Sequence, residues 1–161
     1  MTRSYRKEAL RPSVSITDPK AGLGVVYAEG AFPSVPTPRS TLQGESGVAL
    51  VVDLALARRE SDFALAFKGY FHAQSDGVYT FYLTSDDGST LWIGDELLVD
   101  NGGFHSPRTV AGSIALKAGW HPIYIGYIQA RGARVLSLEY RGPGIARCPV
   151  PGSALCHQNG D

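Results

Sequence analysis

An all-β domain, an antiparallel β-sandwich or barrel of about nine or more short strands, is the fold class predicted by three features of the sequence. The apolar runs are rich in Val, Ile, Leu, Tyr and Phe, and several alternate with period two. Turn formers punctuate them: 19 Gly and 10 Pro in 161 residues imply many tight reversals. No segment carries a convincing helical period, and no internal repeat divides the chain. Its length fits one ordinary domain with a sizeable core.

Taken in order, residues 1–21 lack periodicity and carry scattered charge. They read as a linker or the tail of a preceding element, which leaves 22–161 as the domain. "GLGVVYAEGAF" (22–32) reads as a strand, and "FPSVPTP" (32–38) as an extended loop, since its three prolines exclude a helix or central strand. "VALVVDLALA" (48–57) is a continuous apolar run that a helix would also satisfy. Its β-branched content and the turn residues before it favour a strand. "FALAFKGYFHA" (63–73) alternates Phe63, Leu65 and Phe67, "SDG" (75–77) turns the chain, and "VYTFYLTS" returns with Tyr79, Phe81 and Leu83 inward. That pattern predicts a hairpin. A second hairpin joins "TLWI" to "ELLVD" through "GD" (94–95). Two further strands flank "KAG" (117–119), and "RVLSLEY" (134–140) supplies another.

Charge and motifs exclude several function classes. Lys+Arg and Asp+Glu both number 15, so the formal net charge is zero and no cationic surplus recommends a nucleic-acid partner. No apolar run approaches the roughly 18 residues of a membrane span. "MTRSYRKEAL" is basic but lacks the apolar core of a secretory signal. The expectation is a cytoplasmic protein, or a module whose signal lies elsewhere in a longer chain. No nucleophile elbow, phosphate-binding loop or H-E-x-x-H occurs, and His72, His105, His121 and His157 stand singly. An enzyme therefore has no positive support. Cys148 and Cys156, eight positions apart, read equally as a small-loop disulfide or as two thiols.

Two groups of residues carry binding chemistry. Tyr70, Tyr82, Trp92, Phe104, Trp120 and Tyr127 offer flat rings for sugar stacking, although most aromatics in a sandwich fill its core. Phe104 differs, because it lies in a polar, Gly-rich loop. "SDDGS" (85–89) reads first as a hairpin turn, since D-G is common punctuation between strands. Adjacent carboxylates repel, however, unless a cation or donors neutralise them. The polar loop "DNGGFH" (100–105) begins one hairpin later. Two carboxylates, an Asn amide and backbone carbonyls would suit Ca²⁺, which takes six to eight oxygens.

"DGVYTFYLTSDDGSTLWIGDELLVDNGGFH", followed by "GSIALKAGWHPIYIGYIQ", "LSLEYRGPG" and "VPGSALCH", resembles the PA14 domain family. The upstream "GLGVVYAEGAF" and "FALAFKGYF" extend the likeness. The resemblance implies a twisted antiparallel sandwich, non-catalytic and often appended to glycosidases, adhesins and other surface proteins. In Ca²⁺-dependent lectins of the family, an Asp–Asp pair joined by a cis peptide holds the ion and sugar hydroxyls complete its shell; Asp86 and Asp87 match that pair. A second loop supplies an Asn and backbone oxygens, to which Asn101 and the Gly102, Gly103 and Phe104 carbonyls correspond, although relatives often read "DNDG" where this chain has "DNGG". The expectation is an extracytoplasmic carbohydrate-binding module within a larger secreted or surface protein. Asp86, Asp87 and Asn101 would hold Ca²⁺, and Gly103, Phe104 and His105 would meet the sugar. The alternative is a spacer or docking module packed on a neighbouring catalytic domain of the same chain, with no sugar binding of its own.

Overall fold

Period-two alternation of large apolar side chains with smaller or polar ones makes the long strands, and pairing of their inner faces makes the core. The computed structural model describes residues 9–159. Among them, twelve strands run in order: β1 Lys20–Ala21, β2 Leu23–Glu29, β3 Glu45–Ala49, β4 Phe63–Ala73, β5 Gly77–Asp86, β6 Ser89–Ile93, β7 Glu96–Asn101, β8 Arg108–Leu116, β9 Gly119–Gln129, β10 Val135–Gly142, β11 Ile145–Pro149 and β12 Leu155–His157. They form two antiparallel sheets, as expected. One has the order β11-β10-β5-β8. The other runs β1-β12-β4-β9-β6-β7, with β2 and then β3 added beside β4. A single edge of β4 thus serves two partners, β2 from Phe63 to Lys68 and β12 at Tyr70 and Phe71.

Tyr79, Phe81 and Leu83 of β5 face Phe63, Leu65, Phe67 and Phe71 of β4 across the sandwich, all of them buried. Phe71 is the hub. Its ring meets Tyr79, Phe81 and Tyr140 edge-on, with centroids 5.8, 5.0 and 5.5 Å away, a geometry that aromatic quadrupoles favour.

The structure departs from the sequence pattern in several places. β4 and β5 are not a hairpin: β4 pairs with β9, β2 and β12, and β5 with β10 and β8. "SDG" therefore carries the chain from one sheet to the other. Asp76 accepts a hydrogen bond there from the Ala118 N–H (2.7 Å), tying this corner to the β8–β9 turn. The Gly94–Asp95 hairpin is present, with Ile93 opposite Glu96.

The run at 48–57 stops being strand after Ala49. Its only ladder partner, β2, begins opposite at Leu23, so a longer β3 would have unpaired backbone. Asp53 then accepts from the Ala55 N–H (3.0 Å) in a local turn, leaving Leu50 63% exposed.

Of the stretch expected to be a linker, residues 1–8 lie outside the described residues. Those that follow are attached to the sheets: Arg11 bridges Leu116, Val14 bridges Trp120, and β1 pairs with β12. Cys148 is half-buried on β11 and Cys156 buried on β12, in different sheets, with no disulfide between them. No helix among the described residues is long and apolar enough to cross a membrane.

Because Phe71 fills the junction of both sheets, Phe71→Ala should lower stability by about 3–5 kcal/mol in urea-induced unfolding. A loss below about 1 kcal/mol would contradict the central role given to this ring.

Candidate functional site

β5, β7 and β9 end at the same pole of the sandwich where β6, β8 and β10 begin, and each connection crosses between sheets. "SDDGS" is therefore a sheet crossing and not a hairpin turn. The Asp86–Asp87 peptide bond is cis. The Ser85 and Ser89 hydroxyls on either side are buried and hydrogen-bonded to each other at 2.6 Å. Gly88 accepts from the Ile128 N–H (2.9 Å) and lies against the next loop. A methyl group at Gly88 would sit 2.7 Å from the Gly103 carbonyl oxygen, so only glycine permits this approach.

The two aspartates are 6% and 5% exposed, but their surroundings differ. Asp87 is held by backbone donors. Its Oδ1 accepts from the His105 N–H (3.1 Å), and its Oδ2 from the N–H groups of Ala130 (2.8 Å) and Arg131 (3.4 Å). Its own N–H donates to Gln129 Oε1 at 3.1 Å. Gln129, buried as well, donates through Nε2 to the carbonyls of Glu60, Gly132 and Ala133. Tyr127 donates its hydroxyl to the Asp86 carbonyl at 2.5 Å.

The Asp86 carboxylate, in contrast, receives no N–H or hydroxyl donor among the described residues. Burial first, then the charge of Asp87 and a hydrogen bond with it, push the Asp86 carboxyl up from its ordinary range, while the His105 ring opposes them. The Tyr127 phenol is likewise raised, by burial and then by both aspartates, which keeps it a proton donor. A carboxylate without protein donors, beside a second carboxylate, suits a hard cation. No three His, Cys, Asp or Glu side chains converge among the described residues. A cation here would accordingly draw on Asp86, Asp87 and neutral oxygens.

The family model for the PA14 domain matches residues 55–154. This chain belongs to the PA14 family. Two solved anti-sigma factor domain-containing proteins share its fold. One is 22% identical with a TM-score of 0.75, covering 88% of this chain and 50% of its own. The other, from Clostridium clariflavum, is 28% identical with a TM-score of 0.71, covering 96% and 53%. The chain thus spans about half the length of these relatives. The PA14 sugar-binding domain of an RTX adhesin matches at 19% identity and a TM-score of 0.70, over 86% of this chain and 99% of that one. No curated protein matches in sequence.

Within this PA14 domain, the residues singled out from sequence gather at one tip but do different things. Asn101 is fully buried, and its amide is already occupied. Nδ2 donates to the carbonyls of Leu83 (3.3 Å) and Arg108 (2.9 Å) and to Ser85 Oγ (3.2 Å), and Oδ1 accepts from Arg108 Nε at 2.8 Å. It ties the end of β7 to β5 and β8. His105 turns its ring inward, with Nε2 2.9 Å from the Asn101 carbonyl. Gly103 is exposed with φ +87°, and Phe104 is 60% exposed. Tyr127 is core, whereas Tyr82 packs under the Arg147 guanidinium, 3.9 Å from its ring centre. Sequence reasoning missed Gln129 and the N–H groups of Ala130 and Arg131. A glutamine in the inward register of Ile125 and Tyr127 was the available signal; backbone donors leave none.

The raised Asp86 pKa has a signed consequence. Between its unfolded and folded values the folded chain binds the extra proton, so ionising Asp86 as pH rises through that interval lowers stability. With metal chelated, Asp86→Asn should therefore be more stable than wild type at neutral pH. The difference should vanish as pH falls to the ordinary carboxylate range, as read by thermal unfolding across a pH series in EDTA. A difference independent of pH would refute this account of Asp86.

Proposed function

We propose that this PA14 domain is a non-catalytic carbohydrate-binding module of a larger secreted or surface protein, with Ca²⁺ at Asp86 and Asp87 as the centre of its site. The observation that carries the reading is the Asp86 carboxylate, which stands beside a second acid and accepts from no N–H or hydroxyl of the described residues. Ca²⁺ would offset both charges and offer coordination positions that vicinal sugar hydroxyls take over from water. Asp86 supplies the uncommitted oxygens. Asp87 keeps the loops of the tip together, and Gly88 against Gly103 holds the second loop near the pair. The Gly102, Gly103 and Phe104 carbonyls, on the loop that Gly88 approaches, would supply neutral oxygens, and the exposed Phe104 ring offers an apolar face to a pyranose. Asn101 acts one layer back, fixing the end of β7. The sugar-binding domain of the related RTX adhesin supports the ligand class. Few contacts fit around one ion, so affinity for a monosaccharide is weak and useful retention comes from avidity on a polysaccharide.

A second reading, a spacer or docking module packed on a neighbouring domain, is favoured by Asp87 alone, whose carboxylate serves to bind loops together. The two readings separate in one pair of measurements. Calorimetry should detect one Ca²⁺ site in wild type and none in Asp86→Ala. A glycan array should retain the protein with Ca²⁺ and release it in EDTA. Absence of Ca²⁺ heat in wild type, or unchanged heat in Asp86→Ala, overturns the metal site. Ca²⁺ binding without glycan retention leaves the spacer reading.

A further inference from the structure

Arginines elsewhere in the described chain are mostly committed to carboxylates: Arg11, Arg58, Arg59, Arg134 and Arg147 all form ion pairs with Asp or Glu. Two at the tip are not. Arg108, at the start of β8, is exposed, and its guanidinium rests on two neutral oxygens, Asn101 Oδ1 at 2.8 Å and the Gly102 carbonyl at 3.3 Å. Arg131 is exposed on the β9–β10 loop. Its backbone N–H reaches Asp87 Oδ2, while its side chain has no hydrogen-bond or ion-pair partner among the described residues. The two thus rise from the loops that grip Asp87 from either side.

Neither guanidinium donates to Asp86 or Asp87, so they are not there to neutralise the pair. Asp87 already has backbone donors. The other acids of this pole are Glu60, paired with Arg134 at 3.4 Å, Asp62, whose N–H donates to the Ala130 carbonyl, and Asp100, which accepts from the Gly102 N–H at 3.0 Å; none of them is ion-paired with Arg108 or Arg131. Two exposed guanidiniums without a carboxylate partner therefore remain at the tip. A guanidinium prefers a carboxylate, which it can bind through two parallel hydrogen bonds.

We infer that the saccharide bound at this tip is acidic, a uronic-acid-bearing glycan whose carboxylate is taken by Arg131 with Arg108 beside it. The inference rests on the sugar-binding reading above and adds the ligand's charge to it. Neutral hexosides fit the cation equally but leave both guanidiniums unanswered. Phe104 then serves the apolar edge of the same ring.

The test uses Ca²⁺-loaded protein and matched probes at physiological salt: methyl glucuronide, galacturonide and mannuronide, their neutral parent hexosides, and the corresponding uronamides. Affinities are read by ligand-observed NMR titration. An acid should bind about tenfold more tightly than its parent and its uronamide, the loss expected of one charge-assisted contact. Arg131→Gln should bring that ratio near one, and Arg131→Lys should keep part of it, each variant being shown folded by thermal unfolding. A parent or uronamide that binds as well as its acid overturns the inference but leaves the sugar-binding reading intact. So does a ratio unchanged in folded Arg131→Gln. If no probe of either kind binds, both fall. The wild-type comparison stands whatever the variants do.

Discussion

A carboxylate taken out of water must find donors, and Asp87 finds them on two other loops. His105 supplies one N–H from the β7–β8 connection; Ala130 and Arg131 supply two from the β9–β10 connection. Loss of hydration costs such an ion several kcal/mol, and charge-assisted bonds to fixed amides offset that cost. The pole of the domain depends on this exchange, because none of the three connections has regular structure of its own. Gln129 extends it by one layer. It accepts from the Asp87 N–H and donates to the Glu60 carbonyl, which brings the segment before β4 into the same network.

Topology explains why such a pole exists. Both two-residue hairpin turns, Gly94–Asp95 and Pro143–Gly144, lie at the opposite end, where adjacent strands of one sheet close on each other. At the Asp86 end the connections from β5, β7 and β9 all change sheet. Strands joined by such a crossing do not pair with each other, so the polar groups of the connection turn toward neighbouring loops. The two sheets, locked by Phe71 against Tyr79, Phe81 and Tyr140, set the separation of these crossings. Rigid layers thereby hold irregular segments at fixed spacing, the usual relation between a scaffold and its functional loops.

The strands were legible because side-chain alternation is a local property: Phe63–Leu65–Phe67 and Tyr79–Phe81–Leu83 announce their buried faces directly. What joins what was less legible. "SDG" and "SDDGS" carry ordinary hairpin chemistry, yet both change sheets, since a turn's residues do not record which partner the next strand meets. "VALVVDLALA" has strand composition without a ladder partner beyond Ala49. The acidic pair was visible as an electrostatic oddity, two like charges side by side, and the family likeness drew attention to it. The donors to Asp87 were not visible, because a backbone N–H is the same at every residue and only the fold selects which ones converge. Asn101 was found for its polarity, but its commitment to Leu83, Ser85 and Arg108 depends on three strands meeting.

In the proposed site, the two adjacent aspartates would divide the demands that folding and cation binding make. If both carboxylates were saturated by protein donors, the tip would be stable and have nothing to offer a cation. If neither were, the like charges would hold three loops apart and raise the free energy of the folded state. Asp87 takes the first role and Asp86 the second, so the unfavourable ionisation is confined to a single buried group. That group is destabilised in the metal-free state to the extent that a cation would relieve it, which couples occupancy of the tip to the stability of the pole. The same division lets the surrounding rim vary. Phe104, Arg108 and Arg131 are exposed while backbone N–H groups of the two loops hold Asp87, so these side chains can change without disturbing the Asp87 network.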